Sequence, residues 1–445
     1  MPDSRYDVVV VGGGTAGLAA YRAVVAKGKS ALLIEKNSRI TTTCAQFGCM
    51  PSKLLIAAAK SVKNIKSASK FGVNVNDFSI DNTALLGRVR SERDRFVGFV
   101  ERGAANLNKI HGSPYFVDKN TLKINDKLIH ADNFIIATGT SVRVPEVFKD
   151  VPGVLTNESV FEISELPKKL LVVGAGVIGL ELGSAFSNLG VSVTLVNNIE
   201  SILGLNDRVK ASVKSSLMSR LTYLDNANVT QVSQLEDGTY SVIINSQHYV
   251  FDKILLAAGR TPNLADLGLE KVWPNINFLK TMNPNTHHIE GTPLYFAGDV
   301  DGMRPLLHEA AFYGKNVGEY VATGKRSQEN DMAKMAIIFS DPQIMMVGDS
   351  YRESDHFLGF VDFSDQGRSR VDGINEGVLE VYFDKNTHAL KGAQMSGPSA
   401  EHLAHTLAWS VEMGATLEKL LSMPFYHPVV EEGLRTAIKD AASKV

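Results

Sequence analysis

Val8-Val-Val-Val11-Gly12-Gly-Gly14-Thr-Ala-Gly17 stands close to the start of the 445-residue chain. The apolar run has the length of a buried strand, and the residues after the glycines are rich in Ala, as a helix would be. A G-x-G-x-x-G pattern between a strand and a helix is typical of a dinucleotide-binding unit. We therefore predict a strand over residues 6–11, a tight turn, a helix over 18–26 and a second strand over 30–34.

Each position of this pattern has a physical role. Gly12 permits the turn, Gly14 lets the backbone approach a pyrophosphate, and Gly17 lets the helix pack closely on the strand. The phosphates would lie at the N-terminus of the helix, and Glu35 would accept a hydrogen bond from a ribose hydroxyl. The alternative is a glycine-rich turn in an unrelated α/β protein.

A second copy of the pattern, Gly174-Ala-Gly176-Val-Ile-Gly179, favours the dinucleotide interpretation. It follows a predicted strand over 169–173 and precedes a helix over 180–189. Both units also end alike, in an apolar strand that closes on a glycine motif, and the two closing motifs are Ala137-Thr138-Gly139 and Gly259-Arg260-Thr-Pro-Asn263. Two dinucleotide sites in one chain imply two bound dinucleotides that pass electrons between them.

The second unit lacks an acidic residue at the end of its second strand, where Asn197 stands. An acid there would favour the ribose hydroxyl of NAD, and a nearby Arg would favour the phosphate of NADP. Asn197 is neutral, so NAD and NADP both stay open at this point.

The only two cysteines of the chain lie in Cys44-Ala-Gln-Phe-Gly-Cys49-Met-Pro-Ser-Lys53. They could be two buried inert thiols, half of a metal site, or a dithiol pair that exchanges electrons. No further cysteine remains to complete a four-ligand metal set, and few histidines lie nearby. Pro51-Ser52-Lys53 and the Ala-rich run after them predict a helix that begins there. Helix N-termini favour thiolates. Because the chain also contains two dinucleotide units, we interpret the cysteine pair as redox-active.

Composition excludes several classes of protein. The net charge of −2 gives no reason to expect nucleic acid as a partner, and no apolar stretch approaches the roughly 20 residues of a membrane span. Two cysteines do not form the framework of a small secreted protein, so we expect the protein in the cytoplasm.

The remainder of the chain adds three candidates. Asp299 ends a third short strand in Ala-Gly-Asp, where a carboxylate would accept from a ribose or polyol hydroxyl. From about residue 331 the pattern is that of an α+β domain without a nucleotide motif. Its last segment contains His427, and Glu432 lies five residues further on, where it could orient the imidazole.

The assembled motifs resemble those of the flavin-dependent pyridine nucleotide–disulfide oxidoreductases, over essentially the whole chain and in the same order. The resemblance implies an α/β fold with two Rossmann-like dinucleotide-binding domains, for FAD and NAD(P), and a C-terminal α+β dimerisation domain. The expected limits are 1–150 for the FAD domain, 151–270 for the NAD(P) domain, 271–330 for the second part of the FAD domain and 331–445 for dimerisation.

The resemblance also implies roles for individual residues. Cys49 would be the thiolate next to the flavin and Cys44 the thiol that exchanges with substrate. Lys53 would lie near the flavin and pair with Glu181, and His427 with Glu432 would act as base across a dimer interface. The expected cofactor-binding residues are Gly12, Gly14, Gly17, Glu35, Lys53, Thr138, Gly139, Gly174, Gly176, Gly179, Asn197, Gly259, Arg260 and Asp299, with no metal.

Within this family the chain is most similar to the dihydrolipoamide dehydrogenase branch. That branch implies oxidation of a protein-bound dihydrolipoyl group with reduction of NAD, in a homodimer without nucleic acid or membrane partners. The alternatives are an NAD(P)H-dependent reductase of another small or protein disulfide, and a non-catalytic redox sensor. The sequence departs from the family beside the cysteines, at Thr41, Thr42, Gln46 and Phe425, where the substrate would fit.

Overall fold

The valines before the first glycine motif are buried on both faces, as a strand inside a parallel sheet requires. In the computed structural model, which describes residues 4–326 and 332–445, this strand is Ser4–Val11 and has a parallel neighbour on each side. The described chain divides into two compact units. The first lies within residues 1–51, 87–143 and 259–330, and the second within 52–86, 144–258 and 331–445.

The sheet of the first unit is mostly parallel and has an antiparallel edge. Its order, among the described residues, is Lys109–His111, Ala31–Glu35, Ser4–Val11, Lys127–Ile136, Thr121–Ile124 and Tyr115–Asp118, with Leu294–Phe296 also paired to Lys127–Ile136. Lys127–Ile136 is one continuous strand because its pairing with Ser4–Val11 continues from Ile129 to Ile136.

The helix after the first glycine motif, Thr15–Ala26, packs against Leu307–Thr323 at very short range. A Cβ atom added at Gly314 would lie 2.4 Å from the carbonyl oxygen of Ala16, and one at Gly318 would lie 2.5 Å from that of Ala20. The two backbones therefore touch through small residues. The other helices that lie within this unit are short: Thr43–Gln46, Leu269–Val272 and Phe278–Thr281.

The second unit contains the repeat of the dinucleotide pattern. Its parallel strands, in sheet order, are Thr222–Leu224, Ser192–Val196, Lys169–Val173 and Lys253–Leu256. The helices Val177–Asn188 and Asp207–Met218 belong to it. A second, antiparallel sheet of this unit was not predicted from the sequence. Its strands are Val229–Gln234, Tyr240–Ile244 and Gln247–Phe251. Two long helices, Cys49–Ser67 and Asn82–Ala104, lie in the part of the sequence between the two glycine motifs.

The C-terminal part of the second unit is an antiparallel sheet covered by helices. Its strands, in order, are Met335–Ile338, Gln343–Gly348, Leu390–Gly397, Val378–Asp384 and His356–Asp362. Its helices are Gly367–Val371, Ala400–Glu412, Leu417–Leu421 and Glu432–Ala442. The last helix was not predicted, although Leu434, Ala437, Ile438 and Ala441 repeat at helical spacing and are all buried in its core.

The fold class is therefore the predicted one, a mixed α/β protein with Rossmann-like sheets and a C-terminal α+β domain. The predicted limit at residues 330/331 lies outside the described residues, and the other domain limits stay predictions. Within residues 4–326 and 332–445, none of the helices is both long enough and apolar enough to cross a bilayer.

Candidate active site

The first glycine turn allows no side chain at two of its positions and leaves space at the third. Gly12 has φ +111°, and a Cβ there would lie 2.3 Å from the carbonyl oxygen of Ala137. A Cβ at Gly17 would lie 1.9 Å from the carbonyl oxygen of Gly12. A Cβ at Gly14 would meet nothing within 4 Å, so the backbone before the helix is open to an approaching group.

The second glycine turn repeats these contacts. A Cβ at Gly174 would lie 2.4 Å from the carbonyl oxygen of Ala257, one at Gly179 would lie 1.9 Å from that of Gly174, and Gly176 is again open. Each turn thus presents the N–H groups of a helix N-terminus to open space, which suits the pyrophosphate of a dinucleotide. The residues present fit both FAD and a nicotinamide dinucleotide.

Glu35 lies beside the first turn. Its carboxylate accepts hydrogen bonds from the backbone N–H of Gly13 at 2.8 Å and from the backbone N–H of Asn37 at 2.9 Å. These bonds fix the carboxylate at the end of the second strand.

The two motifs that close the dinucleotide units are bonded to each other. Thr140–Val142 and Arg260–Pro262 form an antiparallel pair. Arg260 donates to the hydroxyl and the carbonyl oxygen of Thr140, at 2.7 and 2.6 Å. Thr138 donates to the carbonyl oxygen of Asn263 at 2.7 Å. The two motifs were predicted only as separate strand ends, and Thr140 was not predicted, because a contact across 120 residues leaves no local signal in the sequence.

Asp299 lies at the start of the turn Asp299–Asp301, close to these residues. Burial raises the pKa of its carboxyl group, and the charge of Arg260 opposes the increase. The carboxyl is half-buried and its position follows a strand end of the first sheet. It is well placed to bond a hydroxyl of a ligand.

Asn197 is buried, and its side chain forms hydrogen bonds with the backbone of the loop that follows it. The amide nitrogen donates to the carbonyl oxygens of Ile199 and Ser201, at 2.5 and 3.2 Å. The residue therefore shapes the loop next to the second turn.

The cysteines occupy two different local structures. Cys44 is half-buried within the four-residue helix Thr43–Gln46, and Cys49 is exposed as the first residue of the helix Cys49–Ser67. The position of Cys49 favours a thiolate, since the helix dipole places partial positive charge at that end. The described residues contain no group of three or more His, Cys, Asp or Glu residues arranged to hold a metal ion.

Lys53, one helical turn after Cys49, forms an ion pair with a buried carboxylate. Its Nζ lies 2.8 Å from both carboxylate oxygens of Glu181. Glu181 also accepts from the backbone N–H of Phe339 at 3.0 Å, and Nζ lies 4.5 Å from the centre of the Phe339 ring. Phe339 contacts both partners of the Lys53–Glu181 pair and was not predicted from the sequence.

Cys44 lines a cavity of about 520 Å³ in the first unit. Most of its walls are apolar, and Arg22 is the one charged side chain among the residues that line it. The walls are Thr15, Leu18, Ala19, Arg22, Thr42, Cys44, Ala45, Met50, Phe96, Phe99, Val100, Gly103, Leu307 and Ala311. A cavity with mostly apolar walls suits a mostly apolar ligand, which would lie beside the Cys44 thiol.

The segment just before Cys44 has an unusual backbone. Thr42 has φ +55° and ψ +141°, a conformation that β-branched residues strongly disfavour. Its hydroxyl accepts from the backbone N–H of Ala45 at 3.3 Å. The hydroxyl of Thr41 donates to the side-chain oxygen of Gln46 at 2.5 Å. Thr41, Thr42 and Gln46, which depart from the family pattern, therefore all form hydrogen bonds within the turn that holds Cys44.

His427 and Glu432 form a pair in the C-terminal part of the second unit. Nδ1 of His427 lies 3.0 Å from the carboxylate of Glu432, and the hydrogen bond to His427 lowers the pKa of that carboxyl. The carboxylate also accepts from the backbone N–H of Val429. The His427 side chain is 80% exposed, so its imidazole is oriented by Glu432 but is open to a partner or substrate.

Comparison with known proteins identifies the two parts of the chain. The profile described as pyridine nucleotide-disulphide oxidoreductase matches residues 6–314, and the profile of the dimerisation domain of these proteins matches residues 335–438. Members of the family use FAD and NAD(P)H.

The chain is also similar to individual proteins over nearly its whole length. It is 29% identical to a dihydrolipoyl dehydrogenase of Geobacillus stearothermophilus, covering 96% of this chain and 94% of that one. It is 28% identical to the mitochondrial dihydrolipoyl dehydrogenase of Schizosaccharomyces pombe, covering 99% and 90%. The HOCl-induced flavoprotein disulfide reductase RclA of Escherichia coli superposes with a TM-score of 0.84 at 23% identity, covering 98% and 99%, which shows a shared fold.

Proposed function

Because the chain belongs to the pyridine nucleotide-disulphide oxidoreductase family, we propose that it oxidises a dihydrolipoyl group to the lipoyl disulfide and reduces NAD, through a redox disulfide of Cys44 and Cys49. The similarity to dihydrolipoyl dehydrogenases over at least 96% of the chain supports this substrate. The observation that carries the proposal is the apolar cavity lined by Cys44, because a dithiolane on an aliphatic chain is a compact apolar disulfide.

In this proposal the two sulfurs have different roles. Cys44, which lines the cavity, exchanges with the substrate: a substrate thiolate attacks it, a mixed disulfide forms, and the second substrate sulfur then displaces Cys44. The substrate leaves as a disulfide and the cysteines remain as a dithiol. Cys49, at its helix N-terminus, is the thiolate that would face FAD, and FAD when bound would couple thiol oxidation to hydride transfer.

Lys53 is the cation that we assign to the flavin. Glu181 and Phe339 hold its ammonium group from two directions, so it keeps one orientation in the helix that begins with Cys49. The first glycine turn and the carboxylate beside it would hold the adenosine diphosphate part of FAD, through Gly12, Gly14, Gly17 and Glu35. Thr138, Gly139, Gly259, Arg260 and Asp299 would hold the remainder of the same cofactor.

We assign proton transfer to His427. A substrate dithiol is mostly protonated at neutral pH, so a base must remove a proton before exchange begins. The Glu432 carboxylate keeps the imidazole in one orientation for this transfer. Its large exposure within a single chain supports a homodimer in which His427 serves the cavity of its partner.

We assign the second glycine turn, with Gly174, Gly176, Gly179 and Asn197, to NAD. Recognition of the NADP phosphate needs a nearby Arg or Lys. Residues 197–206 contain neither, and Glu200 adds a negative charge to that loop. Both features oppose a phosphate at this position. The cytoplasm remains the proposed location.

The test is a panel of substrates on the purified yellow protein. Lipoamide and glutathione disulfide are each reduced with NADH or NADPH, and dihydrolipoamide oxidation is followed with NAD and NADP. We expect the highest kcat/KM with lipoamide and NADH. No turnover of dihydrolipoamide with NAD would contradict the proposal. Faster reduction of another disulfide would instead favour a reductase of that compound, a possibility raised by the unusual residues beside Cys44.

A further inference from the structure

Thr42 is the feature of the cavity that the proposed reaction does not explain. It lines the cavity together with Cys44 and Ala45. Exchange at Cys44 needs a thiol and a base, and a threonine hydroxyl that is already bonded to the N–H of Ala45 supplies neither.

The backbone at Thr42 would suit a glycine better than a threonine. At φ +55° and ψ +141° a glycine has no Cβ to clash, whereas a β-branched residue is strained. Strain of this kind persists where surrounding contacts enforce it, and it concentrates at functional sites. Here the enforcing contacts are local, because the carbonyl oxygen of Thr42 accepts from the N–H of Gln46 at 3.2 Å and Thr41 bonds the Gln46 side chain.

What the threonine adds, relative to glycine, is side-chain volume next to the reactive thiol. A disulfide that reacts with Cys44 must bring one sulfur to the thiolate with its second sulfur alongside. In a cyclic disulfide the second sulfur is tethered and carries no separate group. In a linear disulfide it carries a second substituent, which needs space at the same place.

We propose that Thr42 is a specificity-determining residue that narrows the Cys44 end of the cavity, so that the site selects compact cyclic disulfides over linear disulfides with a bulky group on each sulfur. The inference rests on the proposed function and narrows its substrate class. In the direction of reduction, the Cys44 thiolate forms an S–S bond to one substrate sulfur, and the substrate S–S bond breaks. The leaving sulfur takes a proton. Cys49 then bonds to Cys44, the bond between Cys44 and the first substrate sulfur breaks, and that sulfur leaves as a thiol.

The experiment compares T42G, T42V and T43G with the unchanged protein. For each, kcat/KM is measured with NADH for glutathione disulfide, which is linear, and for lipoamide, which is cyclic. We expect T42G to raise the ratio of kcat/KM for glutathione disulfide to kcat/KM for lipoamide by about tenfold or more. This is the order of effect that one methylene-sized change in a pocket has on substrate discrimination. T43G makes the same substitution at the next residue, which is exposed and lies outside the cavity, so its ratio should stay unchanged.

T42V separates volume from hydrogen bonding. It keeps the size of threonine but loses the bond to the N–H of Ala45, so we expect a lower melting temperature and an unchanged ratio. An unchanged ratio in T42G that still carries FAD would overturn the proposal, as would a T42V ratio that moves like that of T42G.

The experiment distinguishes failure of the proposed role of Thr42 from failure of the proposed dihydrolipoyl substrate. If lipoamide is not turned over at all, the proposed function fails, and oxidised dithiothreitol becomes the cyclic disulfide of the same comparison. A T42G variant that then gains selectively on glutathione disulfide would still support the role of Thr42.

Discussion

At the scale of single residues, Asp341 shows how a partly buried charge is stabilised by its neighbours. Its carboxylate lies 2.5 Å from Nζ of Lys63 and 3.0 Å from the side-chain nitrogen of Asn188, with Nε of Arg220 at 3.9 Å. Burial raises the pKa of this carboxyl, but the charge and hydrogen bond of Lys63 outweigh burial, so the pKa stays below the ordinary 3.8. The ionised form therefore stabilises the folded state.

This predicts a pH-dependent loss of stability in D341N. Because the folded-state pKa is lowered, the contribution is present above the unfolded-state value of 3.8 and is lost as the pH falls through the folded-state value. We expect D341N to lower the free energy of unfolding by about 2 to 4 kcal/mol at neutral pH, as for a broken, partly buried ion pair. Urea unfolding from neutral pH downward measures the difference.

The matched control is D207N, which removes an exposed carboxylate that pairs with Lys210 at 3.0 Å. Exposed pairs contribute little, so this variant should unfold like the unchanged protein. A D341N difference that stays constant as the pH falls below 3.8 would show that the charge of Asp341 is not its cause.

At the scale of elements, the contact between Thr15–Ala26 and Leu307–Thr323 determines where the first glycine turn lies. Added Cβ atoms at Gly314 and Gly318 would meet backbone atoms of Ala16 and Ala20, which cannot rotate away. The helix that begins directly after Gly14 would have to move as a body. The packing of these two helices therefore positions the turn that would hold the dinucleotide.

We predict that G318A lowers the free energy of unfolding by about 1 to 3 kcal/mol through overpacking, and that it lowers the FAD content of the purified protein. Thermal unfolding and the flavin-to-protein absorbance ratio are the measurements. G87A is the control, since a Cβ at Gly87 in Asn82–Ala104 meets nothing within 4 Å. It should be neutral or stabilising. Equal effects of both variants would contradict the packing account.

The elements that sequence predicts well are those whose cause is local. Both glycine turns follow from their spacing, and so do the strands around them. The bond from Arg260 to Thr140 could not be predicted, because it joins strand ends 120 residues apart. The conformation of Thr42 could not be predicted either, because β-branched residues rarely adopt a positive φ. Phe339 was missed because its contribution to Lys53 is a ring face and a backbone N–H.

At the scale of the whole molecule, the C-terminal domain carries large exposed apolar side chains, and one of them, Tyr426, directly precedes His427 in the sequence. The exposed fractions are 62% for Trp409, 74% for Met413 and 80% for Tyr426. Burial of such residues between two copies is the usual explanation when the fold includes a dimerisation domain. In the proposed homodimer, each site would combine Cys44 of one chain with His427 of the other.

This arrangement predicts complementation between two inactive variants. C44S and H427A homodimers should each oxidise dihydrolipoamide far more slowly, by about 10²-fold or more where a general base is lost. A heterodimer of the two has one site with both residues intact. Purification on both tags isolates the mixed dimers, and each of them has one intact site of two, so we expect about half of the unchanged activity. Separately tagged chains, co-expressed and purified on both tags, provide the measurement. Inactive heterodimers would mean that each site lies within one chain.

The central claim is that Cys44 and Cys49 are a redox pair with unequal roles, and the absorbance spectrum of C44S tests it most directly. Serine at position 44 prevents the disulfide and leaves the Cys49 thiolate beside the flavin, as proposed. We predict that C44S retains FAD, shows a long-wavelength charge-transfer band that fades as the thiolate is protonated at low pH, and does not turn over lipoamide. C49S should lack the band. A C44S protein that still reduces lipoamide, or a band that appears in C49S instead, would contradict the assigned roles.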